Sequence, residues 1–386
     1  MKEILILGAG YTGMGATMGL AGRLKGRDDV HITLVNPQTR FTERLRLHQT
    51  ASGQDLADLQ IPDRLAGTGV QFVAGWVTAI DAGAKTVRID DQYVLRYDTL
   101  VYALGSVADT DTVPGADEFA YTLNSARDAT VLADQLDRVG NETVVVAGGG
   151  LTGIESAAEI AEQHPDAHVV LLSRDEPGSM MGEKARARLH TGLTRLGVQV
   201  RSGADIVKVM ADGVALADGD VIPARSVLWT TGVRVSPLAA AAGLHVDDRG
   251  RIVTDESLRS VSHPSVYAVG DAAAIRQTYG VMHGTCQSGI PTSLHAATSI
   301  VRELKGKQPK PFRFGYVHQP VSLGRHDAVI QFTHADDSPG RFYLAGRLAV
   351  AYKETVSSSP WTTYRLIRAL PMVGSMTWRR GGGSSR

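Results

Sequence analysis

Twice in this chain an apolar strand runs into a glycine-rich loop that opens a helix, and this repeat constrains the fold more than any other feature. The first copy is a strand at Glu3 to Leu7, the loop Gly8-Ala9-Gly10-Tyr11-Thr12-Gly13, a helix over roughly Tyr11 to Leu24 and a strand at His31 to Val35. The second is Thr143 to Val146, the loop Gly148-Gly149-Gly150-Leu151-Thr152-Gly153, a helix from about Gly153 to Gln163 and a strand at His168 to Leu172. Each copy is the start of a βαβ unit. In each loop the first glycine permits a tight turn, the second lets the backbone approach a pyrophosphate, and the third lets helix and strand pack closely. The helix N-terminus adds free N–H groups and partial positive charge. Two dinucleotide sites are therefore expected in an α/β chain.

The segments behind each loop repeat as well. After the first unit come alternating patterns at Gln71 to Ile80 and Thr86 to Ile89, then Thr99 to Ala103 ending at Leu104-Gly105-Ser106. After the second come Val198 to Arg201, Ile206 to Met210, Val214 to Ala217, and Ser226 to Thr230 ending at Thr231-Gly232. A further short strand, Ser265 to Val269, leads into Gly270-Asp271, and a helix is expected over Ile290 to Leu304. Lys305 to Pro311 reads as a boundary, followed by strand-like sequence to about Val356, and Gly381 to Ser385 reads as a flexible tail.

Composition narrows the function classes. Forty basic residues balance forty acidic ones, so no global field draws the chain to nucleic acid or an anionic membrane. The one cysteine, Cys286, excludes an intramolecular disulfide framework and suits a reducing compartment, so a cytoplasmic protein is expected. No apolar run is long enough to span a bilayer. No metal site is expected.

Three separated motifs resemble the FAD-dependent pyridine nucleotide oxidoreductases. They are the first glycine loop, the strand end Tyr102-Ala103-Leu104-Gly105-Ser106, and Tyr267-Ala268-Val269-Gly270-Asp271-Ala272-Ala273. The C-terminal Tyr316-Val317 to Leu323-Gly324-Arg325 and Arg341 to Ala349 extend the likeness to the type II NADH:quinone dehydrogenase-like flavoproteins. The resemblance implies two Rossmann-like domains, the FAD domain interrupted by the NAD(P) domain, and a smaller C-terminal domain. It implies the FAD domain at residues 1–112 and 254–310, the NAD(P)H domain at 113–253, a C-terminal α+β domain at 311–380 and a tail at 381–386. FAD would take the first loop and Asp271, with Tyr11, Thr12, Asn36, Pro37, Arg44, Ala103, Gly105, Gly270 and Cys286 around it. The nicotinamide cofactor would take Gly148, Gly150, Leu151, Thr152, Gly153, Ser173, Arg174 and Gly232.

The chain departs from that pattern in places. Asn36 stands where an acid usually grips the ribose, and Leu104 replaces a threonine. At the end of the second unit's return strand, Ser173 and Arg174 offer a hydroxyl and a fixed cation, which suit the 2′-phosphate of NADPH better than the free hydroxyl of NADH. No cysteine pair exists for disulfide chemistry.

In the resemblance, hydride passes from nicotinamide to flavin and the electrons then leave to an acceptor. Glu155 either lies near both rings or complements its helix dipole. Arg44, Arg46 and His48 are spaced by two, so a strand would align them and a helix would spread them. They are candidates for flavin charge stabilisation and proton donation. Gln287, just before the Ile290 helix, is a candidate for the flavin carbonyl or the acceptor. The expected activity is an NAD(P)H:acceptor oxidoreductase acting on a quinone or quinone-like molecule. A reductase specialised for one small molecule or for a ferredoxin-type protein stays open, as does an NAD(P)H–flavin redox sensor. The basic-aromatic segment Trp361 to Arg380, broken by Pro371 and Gly374, leaves open peripheral contact with the inner face of the membrane, closure of the flavin domain, or a homodimer interface.

Overall fold

The computed structural model describes residues 1–370, except for the Cys286 side chain. Both glycine repeats become parallel sheets. In the first, Val266–Ala268, Thr99–Tyr102, Lys2–Leu7, Val30–Asn36 and Gln71–Ala74 lie side by side in that order, every pairing parallel. In the second the order is Gln199–Ser202, His168–Ser173, Thr143–Ala147, Ser226–Trp229, again parallel throughout. The apolar runs Ile4 to Leu7 and Val144 to Ala147 are fully buried because helices cover both faces of such sheets. The fold is that of two Rossmann-like units, as the loops require.

Each unit carries an antiparallel three-stranded sheet: Val77–Asp81, Thr86–Ile89 and Tyr93–Arg96 in one, Ile206–Met210, Gly213–Leu216 and Val221–Pro223 in the other. The alternating stretch from Gln71 to Ile80 is therefore two strands. It breaks at Gly75, where a side chain would run into Ile89 and Asp90. A third antiparallel sheet, His318–Ser322, Ala328–Thr333 and Pro339–Ala345, follows the helix Cys286–Leu304.

Two expectations about helices need correction. The helix expected from Ile290 begins at Cys286, because Thr285 and Ser288 form a reciprocal capping box. Cys286 and Gln287 thus belong to its first turn. Strand-like sequence also ends earlier than Val356. Arg347–Ala369 is a helix whose buried residues Ala349, Lys353, Ser357, Pro360, Tyr364 and Ile367 recur every three or four positions. This stripe packs on the molecule: Tyr364 donates to the Tyr11 carbonyl at 3.0 Å, and Trp361 lies against Phe41 with ring centroids 5.1 Å apart. Trp361, Tyr364 and Ile367 of the basic-aromatic segment thus pack on the first unit, one of the placements the sequence leaves open for it. Pro371, Gly374 and the rest of that segment to Arg380 fall outside the described residues. No described helix is long and apolar enough to cross a membrane.

Candidate functional site

The two glycine loops are built to one plan. Gly8 has φ +91°, and a Cβ at Gly13 would stand 1.7 Å from the Gly8 carbonyl oxygen. Gly148 has φ +119°, and a Cβ at Gly153 would stand 1.8 Å from the Gly148 oxygen. Helix and strand can meet so closely only without side chains. Gly10 and Gly150 have open space where a Cβ would point, and neither helix start is capped by a side chain. Both sets of N–H groups thus remain available to phosphates.

Both loops open on one cleft of about 940 Å³, reached by Gly8, Gly10, Tyr11 and Thr12 from the first unit and Gly150, Leu151 and Thr152 from the second. Asn36, Pro37, Arg44, His48, Ala103, Gly105, Glu155, Asp271 and Gln287 line it too. Gly13, Gly148, Gly153 and Gly270 stand behind the lining as packing and turn positions. Gly232 turns at φ +71° against Asp109 and is exposed, outside the lining.

Several polar residues brace the cleft. Asn36 accepts from the Ala9 N–H at 2.9 Å and donates to the Gln38 carbonyl at 2.8 Å, so its amide holds the first loop. Asp271 accepts from Ser106 Oγ at 2.7 Å, and the half-buried Arg44 donates to the Ser106 carbonyl. Burial lowers the Arg44 pKa, with Asp271 opposing that shift. Gln287 has both ends of its amide engaged, Nε2 to the His318 carbonyl at 2.8 Å and Oε1 from the Val317 N–H at 2.6 Å. It clamps the third sheet to the cleft wall.

At the closed end, Glu155 is buried and meets Lys353 Nζ at 2.6 Å. It also accepts from the Ser322 N–H at 2.9 Å and Ser322 Oγ at 3.1 Å. Burial alone would raise its pKa, but Lys353 and then His48 outweigh that and hold the carboxyl below the usual range. Glu155 is therefore a tertiary ion-pair partner, not a dipole-complementing charge. Beside it, burial pushes the His48 imidazole down to about 4 against the pull of Glu155. His48 Nε2 has no hydrogen-bond partner among the described residues.

Some expected residues point elsewhere. Residues 44–46 form one 3-10 turn and Leu47–Ala51 an α-helix, so Arg44, Arg46 and His48 are spread rather than aligned. Arg46 is absent from the cleft lining and turns to Gln49 at 3.0 Å, Glu43 at 3.5 Å and Glu354 at 4.0 Å. Ser173 is buried behind Gly149. Arg174 lies outside the cleft, 75% exposed, with Asp205 at 3.9 Å.

Lys353, His318 and Gln319 also line the cleft, and sequence reading missed them. For Lys353 a signal existed: it falls on the apolar stripe of a helix that the sequence reading took for strand.

The cleft suits FAD. The first loop offers an uncapped helix start for the pyrophosphate, Asp271 and Arg44 flank it, and the orphaned His48 Nε2 supplies a polar atom at the far end. Two mononucleotide-type units sharing one cleft define a two-nucleotide oxidoreductase of the FAD- and NAD(P)-dependent class.

The family model for pyridine nucleotide-disulphide oxidoreductases matches residues 2–299, and the chain belongs to that family. An NADH dehydrogenase-like protein of Mycobacterium tuberculosis is 31% identical over 355 residues, covering 85% of this chain and 87% of the relative. The demethylphylloquinone reductase NdbB of a Synechocystis strain is 28% identical over 372 residues, covering 91% and 92%. Among solved structures, NDH2 of Plasmodium falciparum in complex with NADH superposes with a TM-score of 0.79 at 15% identity, covering 98% of this chain and 99% of that one.

Proposed function

We propose that the chain carries electrons from NADPH, through FAD, to a quinone-like small molecule. The observation that carries this reading is the shared cleft, onto which both glycine loops open and whose closed end is the Glu155–Lys353–His48 cluster. FAD, when bound, takes hydride from reduced nicotinamide and passes the electrons on. The chain's residues do the rest. The two loops would hold the pyrophosphates and Asp271 and Arg44 would hold the flavin nucleotide between them, while Lys353 keeps Glu155 charged beside a neutral His48. The third sheet and the Arg347–Ala369 helix wall this end from water. His48, Glu155 and Lys353 are the groups that meet the acceptor. The quinone named for the Synechocystis relative supports this acceptor class, and a chain with one cysteine has no internal disulfide to reduce.

Choice of NADPH rests on Arg174, an exposed guanidinium just after the strand His168–Ser173, with Asp205 at 3.9 Å as its ion-pair partner among the described residues. Purified protein should be yellow, bleach anaerobically with NADPH and regain colour with a soluble quinone. Arg174→Ala should lower kcat/KM for NADPH by about tenfold, in line with the loss of one charged contact, and leave NADH unchanged. An equal NADPH/NADH ratio in wild type and variant would remove the preference. Slow reoxidation by every acceptor would favour the redox-sensor reading.

A further inference from the structure

We infer that Glu159 is the carboxyl through which protons enter the closed end of the cleft, passing from the solvent-facing edge at Gln54 and Arg325 to Glu155. This deepens the proposed quinone-type reaction and rests on it. Reducing a quinone-like acceptor takes two electrons and two protons at its oxygens. Hydride from nicotinamide brings both electrons and one proton, so one proton must come from solvent in each turnover.

Glu155 is positioned to hand on that proton but is buried. Glu159 lies one helical turn further along Leu151–Gln163, on the same face. It is fully buried, and its Oε2 has no hydrogen-bond partner among the described residues. The other oxygen accepts from Gln54 Nε2 and stands 4.0 Å from Arg325 Nε. Gln54 and Arg325 are both partly exposed, and Arg325 reaches outward to Glu354 at 3.1 Å. One carboxyl thus bridges the protein's wet edge and its dry site.

The groups facing Glu159 are Glu155 and Glu162 from its own helix, Gln54 from the loop after Leu47–Ala51, and Arg325 from the turn after His318–Ser322. His48, Lys353, Arg46 and Glu354 form the next layer. A purely structural anchor would be held ionised by its arginine. Burial instead raises Glu159 to about 7, with Arg325 only partly opposing, so it exchanges protons near neutral pH. In the step, the proton leaves Glu159 for the Glu155 carboxylate as Glu155 protonates the acceptor oxygen. Glu159 then regains a proton from water at the Gln54 edge, and no net charge accumulates.

Stopped-flow measurement on the flavin-loaded full chain tests this. With Glu159→Gln, anaerobic bleaching by NADPH should keep its wild-type rate. Reoxidation by a water-soluble quinone should slow by about tenfold or more, with a larger solvent deuterium effect and without the wild-type pH limb near 7. Glu159→Asp should restore that limb. If Glu159→Gln does not fold, Gln54→Met should slow reoxidation while leaving bleaching unchanged and should move the pH limb upward rather than abolish it, because it removes the donor that favours the Glu159 carboxylate at the wet edge. Unchanged reoxidation and pH profile in the variants overturn the inference, as does equal slowing of both half-reactions, which marks a structural role. Wild-type protein that bleaches but is not reoxidised by any quinone overturns the underlying function instead.

Discussion

At the residue scale, the Glu155–Lys353 pair dominates the candidate site. Lys353 is nearly buried, and its ammonium, together with His48 and the Ser322 N–H, outweighs what desolvation costs the carboxylate. Removing one member of such a pair typically costs about 3–5 kcal/mol, because the other charge is left buried and unpaired. Lys353→Met should therefore destabilise the fold, and the loss should depend on pH. Without its partner Glu155 titrates above its unfolded value, so its contribution to stability is retained in acid and lost as pH rises through the new folded value. Urea unfolding should show a larger deficit at pH 8 than at pH 5. An equal deficit at both would mean that packing of the lysine stem, not charge, is what the variant loses.

At the element scale, the matched loops predict an asymmetric pair of defects. A methyl at Gly13 or at Gly153 must push a helix away from its strand, since the obstructing atom is backbone in both cases. Gly13→Ala should yield protein that loses flavin on purification. Gly153→Ala should stay yellow but bleach only at nicotinamide concentrations about tenfold or more above wild type, on the scale of one misplaced phosphate cradle. Absorbance ratios and anaerobic titration separate the two. Loss of flavin from both variants would mean that the two units do not bind independently.

For the molecule as a whole, acid should be the weak side of the stability profile. Burial holds His48 and His318 each at about 4, below the 6.5 of an ordinary imidazole. A depressed folded value contributes stability above pH 6.5 that is lost as pH falls towards 4. Glu159 works in the opposite sense, its contribution lost as pH rises from 4.5 to 7, but one carboxyl opposes two imidazoles. Thermal unfolding should thus give a lower Tm at pH 4.5 than at pH 6.5, and His48→Gln should flatten the slope. A Tm that does not fall on acidification would contradict the burial assigned to these rings.

The features legible in the sequence were those set by short-range geometry. Gly8 to Gly13 and Gly148 to Gly153 declare themselves because a strand, a tight turn and a helix must follow within a few residues, and only glycine meets those distances. The Gly270-Asp271 motif was legible through its likeness to the FAD-dependent pyridine nucleotide oxidoreductases, and with the loops that likeness carried the fold class and the nucleotide pair. The closed end of the cleft was decided by packing between distant segments. Nothing local to Lys353 says that it will meet Glu155, and nothing in Arg46 says that it will turn away to Glu354. Gln287 looked free until the third sheet arrived to occupy both ends of its amide. Local steric rules are written residue by residue, whereas which charges share a low-dielectric pocket depends on where whole elements come to rest.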